Sequence, residues 1–418
     1  MEKTVKIILI GIMCLSLIAS VKTDEKSTTD NNIKETEQTT EGIASEETTT
    51  EGSASEETTT EEPLTEEPTT EELVTEEPTT KPEPEVKTIT ISAAGDVTLG
   101  TNQKQGYERS FHLYYDKYGK EYFLKKVSGV FASDDLTILN CEGVLTESDN
   151  RMDKLWNHKG KPEYVDILTC ASVEAVTLGN NHIMDYNEEG VADTIKVLEE
   201  AGIDYALTGP WGNRYGFYEV KGVKVGYVSV NEHYDKEACY PWLEAGLKAL
   251  KERGADIVIA AVHWGGDYTH IIEPEQYDMG RWCIDIGYDL VLGSHPHVLQ
   301  GIEYYKDKYI VYSLGNFCYG GNKNPAEKDT MIFQQTFTFV DGVLQIKPDD
   351  IKIIPCRLSS SADKNDYCPM IVTGTMAVET MSNLNGFCKE FGTEFDMDGY
   401  IIKKGIVDTE EVTTGQMG

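Results

Sequence analysis

The chain has 418 residues and carries 72 acidic against 37 basic side chains, a formal net charge of −35. That length holds a linker plus one large domain or two small ones. That charge argues against nucleic acid and against anionic lipid as partners, while its field attracts metal ions.

Lys3 and Lys6 precede the apolar run IILIGIMCLSLIASV, which ends at Val21 and has the layout of a secretory signal. Fifteen residues fall short of the roughly 20 that a membrane span needs, so residues 1–21 read as a cleaved leader, with an uncleaved membrane anchor as the alternative. Met13 before Cys14 argues against a lipid-modified cysteine. The chain is therefore expected outside the cell or at its surface, touching the cell-envelope membrane only through its N-terminus. Residues 22–87 are a different material. EGIASEETTT at 41–50 recurs as EGSASEETTT at 51–60, TEEP recurs at Thr65 and Thr75, and 21 acidic residues face 5 basic ones, a net of −16. Such a segment cannot bury enough apolar surface to offset its ordering entropy, so it is expected to be a disordered, extended acidic stalk. Residues 88–418 keep a net charge of −20.

From Thr88 onward strands and helices alternate. TITISAA, LTILN, EAVTLG, DYALTG, VKVGYVSV, DIVIAAVHW and YDLVLGS are β-branched apolar runs. Helices are predicted over 162–171, 188–201, 241–253 and 274–286, the last three stopped by Gly202, Gly254 and Gly287. This alternation predicts a largely parallel, helix-covered sheet. After Gly301 the pattern becomes hairpin-like, with Asp341-Gly342 as a turn, and predicts a second, mixed or antiparallel sheet. The expected fold class is α/β, a four-layer α/β/β/α sandwich. Its main domain covers 88–360, and 361–418 form a C-terminal extension packed on it, with a helix over 373–392. Eight cysteines lie in this region without a CxxC pair. They read as small buried hydrophobes, with Cys356 and Cys368 the best candidates for a disulfide.

The chemistry sits at strand ends. Asp96 follows TITISAA, Glu142 follows LTIL, Asn180, Asn181 and His182 follow EAVTL, and His263 and Trp264 follow IVIAAV. His295 and His297 flank Pro296 after the strand ending at Leu292. Carboxylates, amides and imidazoles at the carboxyl ends of parallel strands face the crevice where α/β proteins bind ligands, and they suit one or two divalent metals. Asn181 offers an amide oxygen to a metal, while the adjacent His182 points elsewhere, ready to donate a proton. Asn316, in SLGNF, ends a sixth strand and lines the pocket or simply turns the chain. His112, His158, His233 and His270 lie in loops or polar stretches and receive no ligand role.

The strings GDVTLG, NCEG, LGNNHIMDYNEEG, VHWGGDY, GSHPHVLQGIE and YSLGNF resemble, in order and spacing, the capsule-synthesis CapA family, linked to poly-gamma-glutamate production and anchoring. The resemblance covers about 88–360. That family is similar to the calcineurin-like metallophosphoesterases, and the likeness implies their four-layer fold. By motif, Asp96 matches a first-metal aspartate, Glu142 a bridging carboxylate and His297 another first-metal ligand. Asn181, His263 and His295 match the second metal's ligands, and His182 matches a proton-donating histidine. Asn180, Asp185, Trp264 and Asn316 are placed by the motifs at the substrate pocket. One departure stands out: Asp96-Val97-Thr98 replaces the Asp-x-His of the phosphoesterases, so a single metal becomes an alternative to two. The resemblance implies Mn, Zn or Fe as cofactor, and as partner either a small phosphoester or amide substrate or an anionic capsule polymer. It leaves open a metal-dependent hydrolase, a non-catalytic polymer-binding protein, and a degenerate site.

Overall fold

A computed structural model describes residues 83–405, apart from 346, 348 and 349. The expected leader, most of the expected stalk and residues 406–418 lie outside the described residues. Val86 and Lys87, assigned to the stalk by composition, already pair with Val340 and Phe339. The main strands in chain order are β1 (Val86–Thr98), β2 (Leu136–Cys141), β3 (Ala175–Thr177), β4 (Asp204–Gly209), β5 (Gly216–Val220), β6 (Val223–Asn231), β7 (Ile257–His263), β8 (Leu290–Ser294), β9 (Ile302–Tyr305), β10 (Lys308–Val311), β11 (Asn316–Tyr319), β12 (Asp329–Val340) and β13 (Ile351–Arg357). The main helices are α1 (Phe111–Tyr118), α2 (Asn187–Ala201), α3 (Lys236–Glu252), α4 (Pro274–Ile286) and α5 (Thr375–Cys388).

The strands form two large mixed sheets. The first runs β13-β12-β1-β2-β3-β4, with short strands beyond β13 and β4 and with β11 beside the end of β1. Its strands β1 to β4 are parallel, and β12 and β13 are antiparallel additions. The second runs β9-β10-β8-β7-β6-β5, parallel from β10 to β6 with an antiparallel strand at each edge. This partition differs from the expected one. VKVGYVSV, IVIAAVH and LVLGS are the centre of the second sheet, not a continuation of the first, and the segments after residue 316 return to the first. The reason is register: β12 lies against β1 continuously from Val86↔Val340 to Ala94↔Ile332, a long-range pairing that local periodicity cannot encode.

Three apolar cores follow. Ile89, Ile91 and Ile138 of the first sheet share one with Val225, Ile257 and Leu292 of the second. The opposite face of the first sheet, with Val97, Leu139 and Val176, packs with Phe111 of α1 and Leu198 of α2. The opposite face of the second, with Val228, Val258 and Val291, packs with Leu243 of α3 and Cys283 of α4. Met381, Leu384 and Cys388 of α5 enter the core between the sheets. Buried Asp329 secures α5 by accepting from Thr380 Oγ1 at 2.7 Å and Asn383 Nδ2 at 2.9 Å.

Helix α4 matches its predicted span and carries a capping box between Glu273 and Gln276. The turn at Asp341-Gly342 also forms, with both residues at positive φ. Helix α3 starts at Lys236 rather than 241, because Asp235 Oδ1 accepts from Ala238 N at 3.0 Å and caps it there, leaving Pro241 inside the helix. The helix expected over 162–171 is two short turns, Pro162–Val165 and Asp166–Thr169. Helix α1, capped by Ser110, was not anticipated. All eight described cysteines are free. Cys356 Sγ turns to Ile354 O and Cys368 Sγ to Tyr122 O, so the expected disulfide does not form.

Candidate metal centre

Asp96, Glu142, His182, His263, His295 and His297 come together where β1, β2, β3, β7 and β8 end. Two close approaches make this possible. A Cβ at Gly95 would stand 1.7 Å from Gly315 O, and one at Gly179 would stand 2.7 Å from Ser229 of the second sheet. Bare backbone at these points lets Asp96 reach β11 and lets the Asn180–His182 loop reach the other sheet.

The loop after β8 is strained. His295 has φ 97° and His297 φ 59°, conformations costly for a residue with a Cβ and persistent only where surroundings enforce them. Asn316 supplies that enforcement for His297: its Nδ2 donates to the His297 carbonyl at 3.0 Å and its Oδ1 faces His297 Nδ1 at 2.9 Å.

Asp96 is fully buried; its Oδ1 accepts from Asn140 Nδ2 at 2.7 Å and its Oδ2 lies 3.1 Å from His297 Nδ1. Glu142 Oε1 stands 3.7 Å from His297 Nε2 and 3.7 Å from His182 Nε2. His263 Nε2 lies 3.1 Å from His295 Nδ1, and His295 Nε2 lies 3.4 Å from Asp267 Oδ1. Asn140 links the two sheets, its Nδ2 also 3.4 Å from His263 Nδ1. Three imidazoles share one arrangement. Nδ1 of His182 faces Asp185 Oδ2 at 2.7 Å, that of His263 faces Ser294 Oγ at 2.9 Å, and that of His297 faces Asn316. At His182 the acceptor is a carboxylate, which favours a proton on Nδ1 and leaves the Nε2 lone pair for a ligand, the usual surrounding of a metal-bound histidine.

Burial and mutual proximity shift the titration of these groups. Burial pushes the Glu142 carboxyl up to about 8 despite the neighbouring His297. Burial opposes charge on His297, but Glu142 and Asp96 outweigh it and lift the ring to about 9. Burial, reinforced by His233 and His297, drives His295 down to about 2, and His263 is also held well below the ordinary imidazole value by burial and His295. Both Glu142 oxygens and Asn181 Oδ1 are buried without a hydrogen-bond partner. Unspent buried acceptors are costly, and a divalent cation would satisfy them. Three overlapping groups have ligand atoms close enough to hold an ion: Asp96, Glu142 and His297; Glu142, His158 and His182; Asp267, His295 and His297.

Asn181 and His182 line a cleft of about 670 Å³ with His158, Asp267, Tyr268 and His297. The residues expected at the substrate pocket sit behind it. Asn180 is buried, donating to Cys141 O at 2.8 Å and accepting from His182 N at 3.1 Å, so it shapes the loop. Asp185 and Asn316 hold His182 and His297 from behind. Trp264 does not reach the cleft; it is fully buried in the core outside the second sheet, donating from Nε1 to Tyr312 O at 2.8 Å. The bulk of the indole and the alternation past His263 turn it to the opposite face.

Sequence reasoning missed His158, His233 and Asp267. His158 stacks on His182 with ring centroids 3.9 Å apart, and the His233 ring lies 4.0 Å from that of His295. Asp267, in the same VHWGGDY string as His263, could have been found by that proximity; His158, in a polar stretch far from any motif, could not. Thr98 Oγ1 is buried without a partner, and Thr98, Glu142 and His158 line one small cavity. His112 and His270 are engaged elsewhere, with Tyr164 and Leu299 O.

Residues 90–320 match the family described as bacterial capsule synthesis protein PGA_cap. The chain is 27% identical over 304 residues to the capsule biosynthesis protein CapA of Bacillus anthracis, covering 67% of this chain and 72% of that one. It is 26% identical over 296 residues to the PGA biosynthesis protein CapA of Bacillus subtilis, covering 64% and 74%. Among solved structures, a hypothetical protein from Thermus thermophilus aligns with a TM-score of 0.41 and 16% identity over 64% of this chain and 98% of that one.

Proposed function

Because this chain belongs to the bacterial capsule synthesis protein family PGA_cap, we propose that it serves the synthesis or anchoring of a capsule polymer of the poly-gamma-glutamate kind, using a divalent-cation site of hydrolase type. The two Bacillus relatives bear capsule and PGA biosynthesis names, and the family carries that role to this chain. The single observation behind the cation site is the convergence of Asp96, Glu142 and His297 from three distant segments, with both Glu142 oxygens unpartnered. Asp96, Glu142 and His297 would hold one ion, and Asn181, His263 and His295 a second. A carboxylate, amide and imidazole donor set suits Mn, Zn or Fe. Such an ion polarises a phosphoryl or carbonyl oxygen and lowers the pKa of bound water. Around it, Asn140 bridges Asp96 and His263, Ser294 and Asn316 face the rings of His263 and His297, and Lys154 approaches Asp185 at 2.5 Å and Asn181 O at 2.9 Å. The three cores favour the same reading, a four-layer arrangement of the metallophosphoesterase type.

A second reading, polymer binding without turnover, is favoured by the cleft lining. Lys104, Lys154 and Lys323 line it together with Trp156, although residues 88–418 carry −20 overall. A local basic rim is what a polyanion needs on an acidic domain. We place the protein at the cell surface or outside the cell; no helix among the described residues is long and apolar enough to cross a membrane.

Metal analysis of the purified full chain and of Asp96→Ala and His295→Ala, paired with turnover of a generic phosphodiester and of poly-gamma-glutamate, tests both readings. Metal and turnover in the wild type, both lost in the variants, support the hydrolase. Bound metal without turnover supports polymer binding, and a wild type without metal overturns the cation site.

A further inference from the structure

The group formed by Glu142, His158 and His182 includes a histidine to which the sequence assigned no role. We propose that these three side chains hold a divalent cation of their own, with Glu142 shared between it and the ion at Asp96 and His297. The inference rests on the cation reading above and extends it to His158.

Geometry is the first support. One ligand atom from each of the three buried residues lies within 4.8 Å of the others, and His182 Nε2 is 3.7 Å from Glu142 Oε1. Ligand atoms on one ion with bonds of roughly 2.0–2.2 Å stand at most about 4.4 Å apart, so small side-chain adjustments suffice. The donors are also unspent. Both Glu142 oxygens and His158 Nδ1 are buried without a hydrogen-bond partner, although His158 is only 3% exposed. A histidine packed for shape alone would be expected to satisfy that nitrogen.

The site is preorganised by one carboxylate. Asp185 Oδ2 faces His182 Nδ1 at 2.7 Å and also accepts from the backbone N–H of His158, while Lys154 Nζ approaches Oδ1 at 2.5 Å. With its proton held at Nδ1, His182 presents a lone pair at Nε2, which is the ligating form. The two rings are stacked nearly parallel, 15° apart, which fixes His158 against His182. Gly143 leaves room for this: a Cβ there would stand 3.1 Å from His158 Cβ.

The test is a titration of the metal-stripped full chain with Zn²⁺ alone. His158→Phe keeps a ring in the stack and removes both nitrogens. It should take up one equivalent fewer than wild type, or bind one equivalent at least about tenfold more weakly, the least that even an outer-shell change costs. His158→Gln, which keeps a polar group in the pocket, is the second variant should the first not fold. Wild type without Zn²⁺ uptake overturns the cation reading as a whole. Wild-type uptake matched in number and affinity by the folded variants overturns this inference alone and leaves His158 as a packing partner of His182.

Discussion

Asn316 grips His297 at two points, ring and carbonyl, through contacts of 2.9 Å and 3.0 Å. The grip matters because the His297 backbone sits at φ 59°, so both its conformation and its ring orientation depend on a neighbour that is 19 residues away in sequence. Asn316→Ala should therefore weaken metal binding by about 10- to 100-fold, the usual cost of losing an outer-shell partner. Calorimetric titration of Mn²⁺ into wild type and variant checks this; equal affinities would show that the ring is held by Asp96 alone.

Glu142 and His297 have raised values, about 8 and about 9. A group whose folded value lies above its unfolded one stabilises the fold most at low pH and loses that contribution as pH rises through the folded value. For Glu142 the change spans from the ordinary carboxyl range to about 8, and for His297 from the ordinary imidazole range to about 9. Metal-free protein should thus melt at a lower temperature at pH 9 than at pH 6, and saturating metal should shrink the difference. An ion must also displace the protons these two groups carry, so apparent affinity should rise between those pH values. Titrations in two buffers of different ionisation enthalpy would count the released protons.

Gly95→Ala should be severe. The added methyl would meet Gly315 O at 1.7 Å, and Asp96 N donates to that same oxygen at 2.9 Å. Backbone on both sides cannot yield cheaply, so a loss of about 3 kcal/mol or more is expected in urea unfolding, together with loss of metal uptake.

Asp329 joins α5 to the first sheet, meeting Thr380, Asn383 and, at 2.8 Å, Arg357 Nε. Asp329→Ala leaves Thr380 and Asn383 without their acceptor and Arg357 without its counter-ion, and should cost about 3 kcal/mol, the low end for breaking a buried charged contact. Limited proteolysis should then cut first after Arg357, while the cleft residues keep their metal.

The residues that carry the candidate site were legible one by one. Asp96, Glu142, Asn181, His263, His295 and His297 each follow an apolar β-branched run, and α4 has its start and stop written in Glu273, Pro274 and Gly287. These features are local, set by side-chain chemistry and by hydrogen bonds within a few residues, so the amino-acid order alone determines them. Which strand lies beside which was not legible. β12 could be read as a strand, yet nothing within it names β1 as its partner, and the strands around His263 were assigned to the wrong sheet for that reason. The same holds for His158 and Asp185. A polar stretch and a motif aspartate become a stacked imidazole and the carboxylate behind two histidines only when segments far apart in the chain are packed together. Tertiary packing decided those roles, because burial and proximity are properties of the folded chain and not of any segment within it.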